Sequence, residues 1–177
     1  MYTMGTVLRH GSDDQKKSYL PKIATGELRL QAFGVTEPTT GSDTTQLRTR
    51  AEREGNGYVI NGQKVWNTLA HIADFGMLVT RTDPNVPKHR GMTYFALDMK
   101  ASGVEVRPLR QITGEAEFNE VYMTDVRVHD DYRIGAEGEG WRAALTTLMN
   151  ERTAIGGSGG GSGGSKRGGG AIAGLTA

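Results

Sequence analysis

Hydrophobic positions along the chain change period twice. Residues 1–27 read as helix and turn. Ser12-Asp13-Asp14-Gln15 spells a capping box, with Ser12 as N-cap and Gln15 three residues on. Asp13 and Asp14 suit the positive end of a helix that runs to about Ala24. Tyr19, Leu20 and Ile23 form its apolar stripe, and Gly26 supplies a stop. Pro21 sits inside this stretch and predicts a kink or a split.

From residue 28 to about 128 the period shortens to that of strands. Apolar or alternating runs fall at 28–35, 49–53, 58–60, 63–68, 75–81, 92–99, 104–109 and 120–128. Gly55-Asn56-Gly57 predicts a hairpin turn, and Asn61-Gly62 a second one. Residues 82–91 form a polar loop with two prolines and a Lys88-His89-Arg90 cluster. Short strands with turns between them predict a mainly β fold with flanking helices, its antiparallel sheet closed into a barrel or folded into a sandwich. The helical period returns from Trp141 to about Ala154, with Trp141, Ala144, Leu145, Leu148 and Met149 on one stripe. Residues 156–170 are almost all Gly and Ser, a composition that predicts flexibility, and residues 171–177 read as the first turn of another helix, cut short.

Composition narrows the field without choosing a function. The chain has 177 residues, 36% hydrophobic and 23% charged, which is ordinary globular material. A net charge of +1 gives no reason to expect a nucleic-acid or membrane surface. There is no cysteine, so disulfides and thiolate chemistry are excluded. His10, His71, His89 and His129 are scattered without metal-ligand spacing. No apolar run approaches the roughly 20 residues that span a bilayer, and the start carries no leader pattern, so a cytoplasmic location is the expectation.

The stretch with the densest chemistry is Val35-Thr36-Glu37-Pro38-Thr39-Thr40-Gly41-Ser42-Asp43. Pro38 fixes φ there, and Gly41 is expected to take a backbone conformation closed to other residues. Unpaired N–H groups with hydroxyls beside them suit an anionic or carbonyl-rich ligand, although the same residues are what loops are made of. Trp66 reads first as a core residue, with a flat surface for a planar ligand as the alternative. Thr68 either bonds a heteroatom or fits a pleat, and Lys88-His89-Arg90 is either a solvated loop or a phosphate contact. Asp43, Glu37, Asp74, Glu117 and Glu120 show no pairing that implies acid–base work. Gly135 to Gly140 matches no phosphate-binding fingerprint and reads as a connector.

The spelling of that stretch resembles the T-E-P-x-x-G-S-D signature of the acyl-CoA dehydrogenase family. Some 25 residues later, Asn61-Gly62-Gln63-Lys64-Val65-Trp66-Asn67-Thr68 is similar to that family's N-G-x-K-x-W-I-T segment. Arg110-Gln111-Ile112-Thr113-Gly114, Phe118-Asn119-Glu120-Val121, Asp125-Val126-Arg127-Val128 and Asn150-Glu151-Arg152 extend the likeness over roughly residues 5–155. The resemblance implies the middle β-domain of that fold at 28–134. Residues 1–27 would end an N-terminal helical domain and 135–155 would be the first helix of the C-terminal one. Residues 156–177 hold the glycine-rich segment, and the helical domains are otherwise largely absent.

By the same resemblance the cofactor is FAD. Phe33, Gly34, Val35, Thr36, Gly41 and Ser42, with Trp66, Asn67 and Thr68, would touch its flavin. Ser42 would also line the acyl-CoA site, and His89 would approach the CoA. The implied activity is α,β-dehydrogenation of an acyl-CoA thioester, with an electron-transfer flavoprotein as electron acceptor and a dimer or tetramer as the full-length assembly. Asn67 departs from the pattern, which has isoleucine or a similar residue there. The family's catalytic glutamate generally lies in the absent bundle, so no catalytic residue is assigned; Glu151 lies near the start of that bundle, and nothing in the sequence supports it as the base. An acyl-CoA oxidase or nitroalkane-oxidase-like relative, a non-catalytic ligand-binding β-domain, and a structural β-barrel remain as alternatives.

Overall fold

Ser12 caps its helix as its sequence demands. Its hydroxyl accepts from Gln15 N at 3.1 Å while Gln15 Oε1 accepts from Ser12 N at 2.9 Å. The computed structural model describes residues 3–156. The glycine-rich stretch and the terminal apolar residues 171–177 lie outside the described residues. Helices α1 (Met4–His10) and α2 (Asp13–Thr25) precede seven strands: β1 (Leu30–Gly34), β2 (Arg50–Glu54), β3 (Gly57–Thr68), β4 (Phe75–Arg81), β5 (Met92–Asp98), β6 (Val104–Leu109) and β7 (Phe118–His129). Helix α3 (Gly140–Gly156) follows. Helix α2 runs through Pro21 without a break. Lys17 and Pro21 both lie on its exposed side, so the carbonyl that the proline cannot serve faces solvent rather than the core.

The strands form one curled sheet in the order β1-β4-β2-β3-β7-β6, with β5 on the other edge of β4. It is not purely antiparallel, because β1 and β2 both run parallel to β4. Since β5 pairs with β4 along its whole length, β1 and β2 must lie end to end along the opposite edge. The chain between them, residues 35–49, is therefore thrown out of the sheet at the junction. The Gly55-Asn56 hairpin forms, with Glu54 paired to Gly57. The turn expected at Asn61-Gly62 does not. Strand β3 passes straight through it as a register shift against β7, and Asn61 exchanges two hydrogen bonds with Asp125. A 12-residue partner strand, β7, keeps β3 extended where a lone Asn-Gly would have turned it.

Strands β4 and β5 read as continuous apolar runs because both faces are covered. Leu78, Phe95 and Leu97 face the inside of the curl with Tyr58, Ile60 and Val126. Met77, Val79, Met92, Tyr94 and Ala96 face the helices with Val7, Ala143 and Ala144. The α3 stripe divides accordingly. Ala143, Ala144 and Thr147 are buried against the sheet, while Leu145 and Met149 stay exposed. Among the described residues no helix is long and apolar enough to cross a membrane.

Candidate functional site

Residues 35–49 are held to the sheet by one buried ion pair. Glu37 and Thr40 exchange backbone hydrogen bonds across Pro38-Thr39, a β-turn with proline at its second position. That turn aims the Glu37 side chain inward. Its two oxygens accept from Arg48 N at 2.6 Å, Thr49 N at 2.9 Å and Lys64 Nζ at 2.8 Å. Lys64 also donates to Val35 O at 3.2 Å. Burial alone would raise the Glu37 pKa, but the Lys64 charge and the hydrogen bonds from Lys64, Arg48 and Thr49 together hold it below the ordinary range. Burial pulls the Lys64 ammonium down to about 8, with Glu37 opposing the shift. Arg81 donates to Leu47 O and Thr45 O from the other side, fixing the loop's far limb.

Gly41 is not among the residues at positive φ, contrary to the expectation for it, and a Cβ added there would meet nothing within 4 Å. It contributes bare backbone at the edge of open space.

Strand β3 is bulged beside this loop. Between the pairs Lys64–Val121 and Asn67–Asn119, β3 advances three residues while β7 advances two. Val65 N leaves the β7 ladder and donates to Thr36 O at 2.9 Å. Trp66 takes φ 64°, a left-handed conformation that costs an L-residue about 1–2 kcal/mol. The residue is 59% exposed, its ring edge-on to Phe118. Of the two readings of Trp66, the core reading fails.

Loop, bulge and α3 enclose a cleft of about 530 Å³. It is lined by Phe33, Val35, Thr36, Gly41, Ser42, Trp66 and Thr68, so seven of the sequence-predicted positions converge there. Asn67 does not join them. It is 1% exposed and turns into the sheet toward Asn119. Gly34 also faces away, with a hypothetical Cβ packed between Leu78 and Lys64. His89 stands outside the lining, its ring 5.0 Å from that of Trp141.

The opposite wall was missed in the sequence. Trp141, Leu145, Leu148, Glu151 and Arg152 project from α3 into the cleft. The signal was present as the apolar stripe of α3, whose Leu145 side has no core to cover. Two carboxylates line the cleft. Asp43 is held by the Thr45 hydroxyl, Thr45 N and Gln46, with its pKa lowered by those bonds. Glu151 makes no hydrogen bond or ion pair with any described residue, and burial raises its pKa against the opposing charge of Arg152.

A larger hollow, about 790 Å³, lies between α2 and the Asp130–Tyr132 turn, walled by Tyr19, Phe75 and Tyr132. Burial pushes the Tyr19 phenol up to about 12. None of the loop hydroxyls or the Trp66 ring reaches it, so size alone does not mark it as the functional site.

Fold and cleft define a curled β-domain that leaves a planar aromatic wall and several hydroxyls facing the helix that follows it. The sequence model described as acyl-CoA dehydrogenase, middle domain, matches residues 32–126. Acyl-CoA dehydrogenase FadE34 of Mycobacterium tuberculosis is 48% identical over 151 residues, 85% of this chain and 21% of that protein. A solved Tcur3481-Tcur3483 steroid ACAD superposes with a TM-score of 0.82 at 36% identity, over 87% of this chain and 40% of that one. Glutaryl-coenzyme A dehydrogenase in its glutaryl-CoA complex gives 0.82 at 29% identity, over 90% and 41%. The chain belongs to the acyl-CoA dehydrogenase family, and it spans between a fifth and about two-fifths of the length of these relatives.

Proposed function

We propose that this chain carries the flavin-facing and acyl-facing walls of an FAD-dependent acyl-CoA dehydrogenase, and that Glu151 is its proton acceptor. The observation that carries the reading is the cleft itself: loop, bulge and α3 bring Thr36, Ser42, Trp66, Thr68 and Glu151 to one space. The donor set fits FAD. The exposed Trp66 ring offers a flat wall, and the Thr36, Ser42 and Thr68 hydroxyls suit the heteroatoms of a flavin edge. A cleft of about 530 Å³ lies within the ordinary range for cofactor sites.

When bound, FAD supplies a two-electron acceptor for the hydride that leaves the β-carbon of an acyl thioester. The Glu151 carboxylate takes the α-proton, and the pair of electrons from that C–H bond becomes the α,β double bond. A carboxylate that bonds no other described residue and whose pKa is raised by burial is suited to accept a proton. Leu145 and Leu148 present an apolar surface for the acyl chain beside it. His89, beyond the Trp141 ring, is assigned to the CoA end. Electron-transfer flavoprotein as acceptor and a dimer or tetramer of the whole protein complete the proposal, and both rest on family membership.

The test is an FAD titration followed by absorbance, in the 177-residue chain and in a chain extended past Ala177. Stoichiometric binding with bleaching on addition of an acyl-CoA is the expected result. Glu151→Gln should keep the flavin and slow bleaching on the order of a hundred- to ten-thousand-fold, the range for a lost general base. Bleaching at the parent rate in that variant would remove Glu151 from its role. Binding without bleaching in the extended parent would favour a ligand-binding domain over an enzyme.

A further inference from the structure

The departure from the family pattern at Asn67 has a partner. Asn119 Nδ2 donates to Asn67 O at 3.0 Å and to Glu117 O at 3.1 Å, and Asn67 Nδ2 donates back to Asn119 O at 3.4 Å. Both side chains are buried, at 1% and 0% exposure. The two amides thus bond each other's backbone carbonyls across the register pair that closes the β3 bulge. His71 Nδ1 lies 3.2 Å from Asn119 Oδ1. With the Asn119 amide protons already donated to two carbonyls, Oδ1 is the acceptor, so the His71 ring carries its proton on Nδ1. Leu69, a second left-handed residue at φ 54°, donates its N–H to the same Glu117 O at 2.8 Å.

Trp66 is therefore fixed on both sides. Val65 N is tied to the loop at Thr36 O, and Asn67 is tied at two points to Asn119. A bulky residue persists in the left-handed region only where its neighbours over-determine it. We infer that the buried Asn67–Asn119 pair is a positioning device: it holds Trp66 in its left-handed conformation and so stands the indole in the cleft. The inference concerns what sets the ring's place, and its use as a cofactor wall rests on the flavin reading above. An apolar residue at 67 would fill the same space without offering the amide to Asn119.

The experiment uses Trp141→Phe as parent, because Trp66 is then the sole tryptophan of the chain. Asn119→Ala and Asn119→Asp are compared with it in the absence of FAD. The aspartate keeps the shape but removes both donors. In either variant that folds, Trp66 fluorescence anisotropy should fall as the ring gains freedom. Stability should respond to a double-mutant cycle with Trp66→Gly, because glycine adopts positive φ without strain. The midpoint shift caused by the Asn119 change should be at least halved, by this argument, in the glycine background. FAD affinity of the Asn119 variants should fall about tenfold, matching the strain of one left-handed residue. Unchanged anisotropy together with an additive cycle would overturn the inference. Those two readouts need no cofactor, so a parent that binds no FAD counts against the flavin reading alone.

Discussion

Lys64 Nζ lies 2.8 Å from Glu37 Oε1, and the two side chains are 0% and 4% exposed. This pair joins the loop at 35–49 to the strand that carries Trp66, alongside the Val65 N–Thr36 O bond and the Arg81 contacts. Removing one member leaves a buried charge without its partner, at a cost of about 3–5 kcal/mol. Lys64→Met should therefore lower the denaturant midpoint severely. Adding Glu37→Gln should recover part of the loss, because it removes the orphaned charge and keeps an acceptor for Arg48 N or Thr49 N. Glu37→Leu in the same background should recover less, since Arg48 N and the buried Thr49 N then lose their acceptor, the buried one at about 1–3 kcal/mol. Equal midpoints for the two double variants would show that the carboxylate's backbone bonds contribute nothing.

Acid should break the same connection. The folded pKa of Glu37 is depressed, so its contribution to stability is complete above the ordinary carboxylate range and is lost as pH falls through the folded value. The parent should stay folded below pH 4 longer than a protein whose Glu37 titrates normally. Lys64→Met leaves Glu37 a lone buried carboxylate whose protonation relieves its cost. The variant, although less stable at neutral pH, should therefore lose less stability than the parent as pH falls, a shift opposite in sense to the parent's acid loss. Circular dichroism across pH 2–6, a window set about the ordinary carboxylate pKa, reads the shift. Coincident acid curves for parent and variant would mean the pair does not govern acid stability.

Two glycines should respond oppositely to a methyl group. A Cβ on Gly41 meets no atom within 4 Å, so Gly41→Ala should change stability by no more than about 0.5 kcal/mol. It should still weaken FAD binding, because the added group stands in the cleft. Gly103 sits at φ 89°, and a Cβ there would lie 2.1 Å from Thr124 O, so Gly103→Ala must shift the backbone of the turn before β6 or that of β7. It should lose several degrees of melting temperature with no selective effect on a flavin site. A Gly41→Ala variant as unstable as Gly103→Ala would mean that Gly41 serves the fold rather than the cleft.

The contrast between Trp66 and Glu151 shows how far the sequence reaches. The β-rich fold was legible because β4 and β5 are continuous apolar runs, Gly55-Asn56 is a strong turn and Ser12–Gln15 is a complete cap. The loop side of the cleft was legible because its hydroxyls are contiguous. Asn61-Gly62 misled, since turn propensity is local and the long partner strand β7 is not. Trp66 could not be sorted between core and surface, because its exposure follows from a one-residue bulge that period-2 reasoning does not see. Glu151 could not be singled out, because it becomes a cleft residue only when α3 folds back against β4 and β5, more than 50 residues away in the chain.

Glu151 should reveal its environment through pH even where no cofactor is bound. Burial raises its folded pKa above the unfolded value, so the protonated form is favoured in the fold. Its contribution to stability is complete below the ordinary carboxylate range and is lost as pH rises through the folded value. A glutamine in its place cannot ionise and escapes that loss. Glu151→Gln should therefore match the parent at pH 4 and exceed it at pH 8, pH values chosen on either side of the shift. The acid sensitivity of Glu37 is common to both proteins and cancels in the comparison. A variant less stable than the parent at pH 8 would mean that the carboxylate holds a stabilising charge contact, most directly with Arg152, and would argue against its being held free to accept a proton.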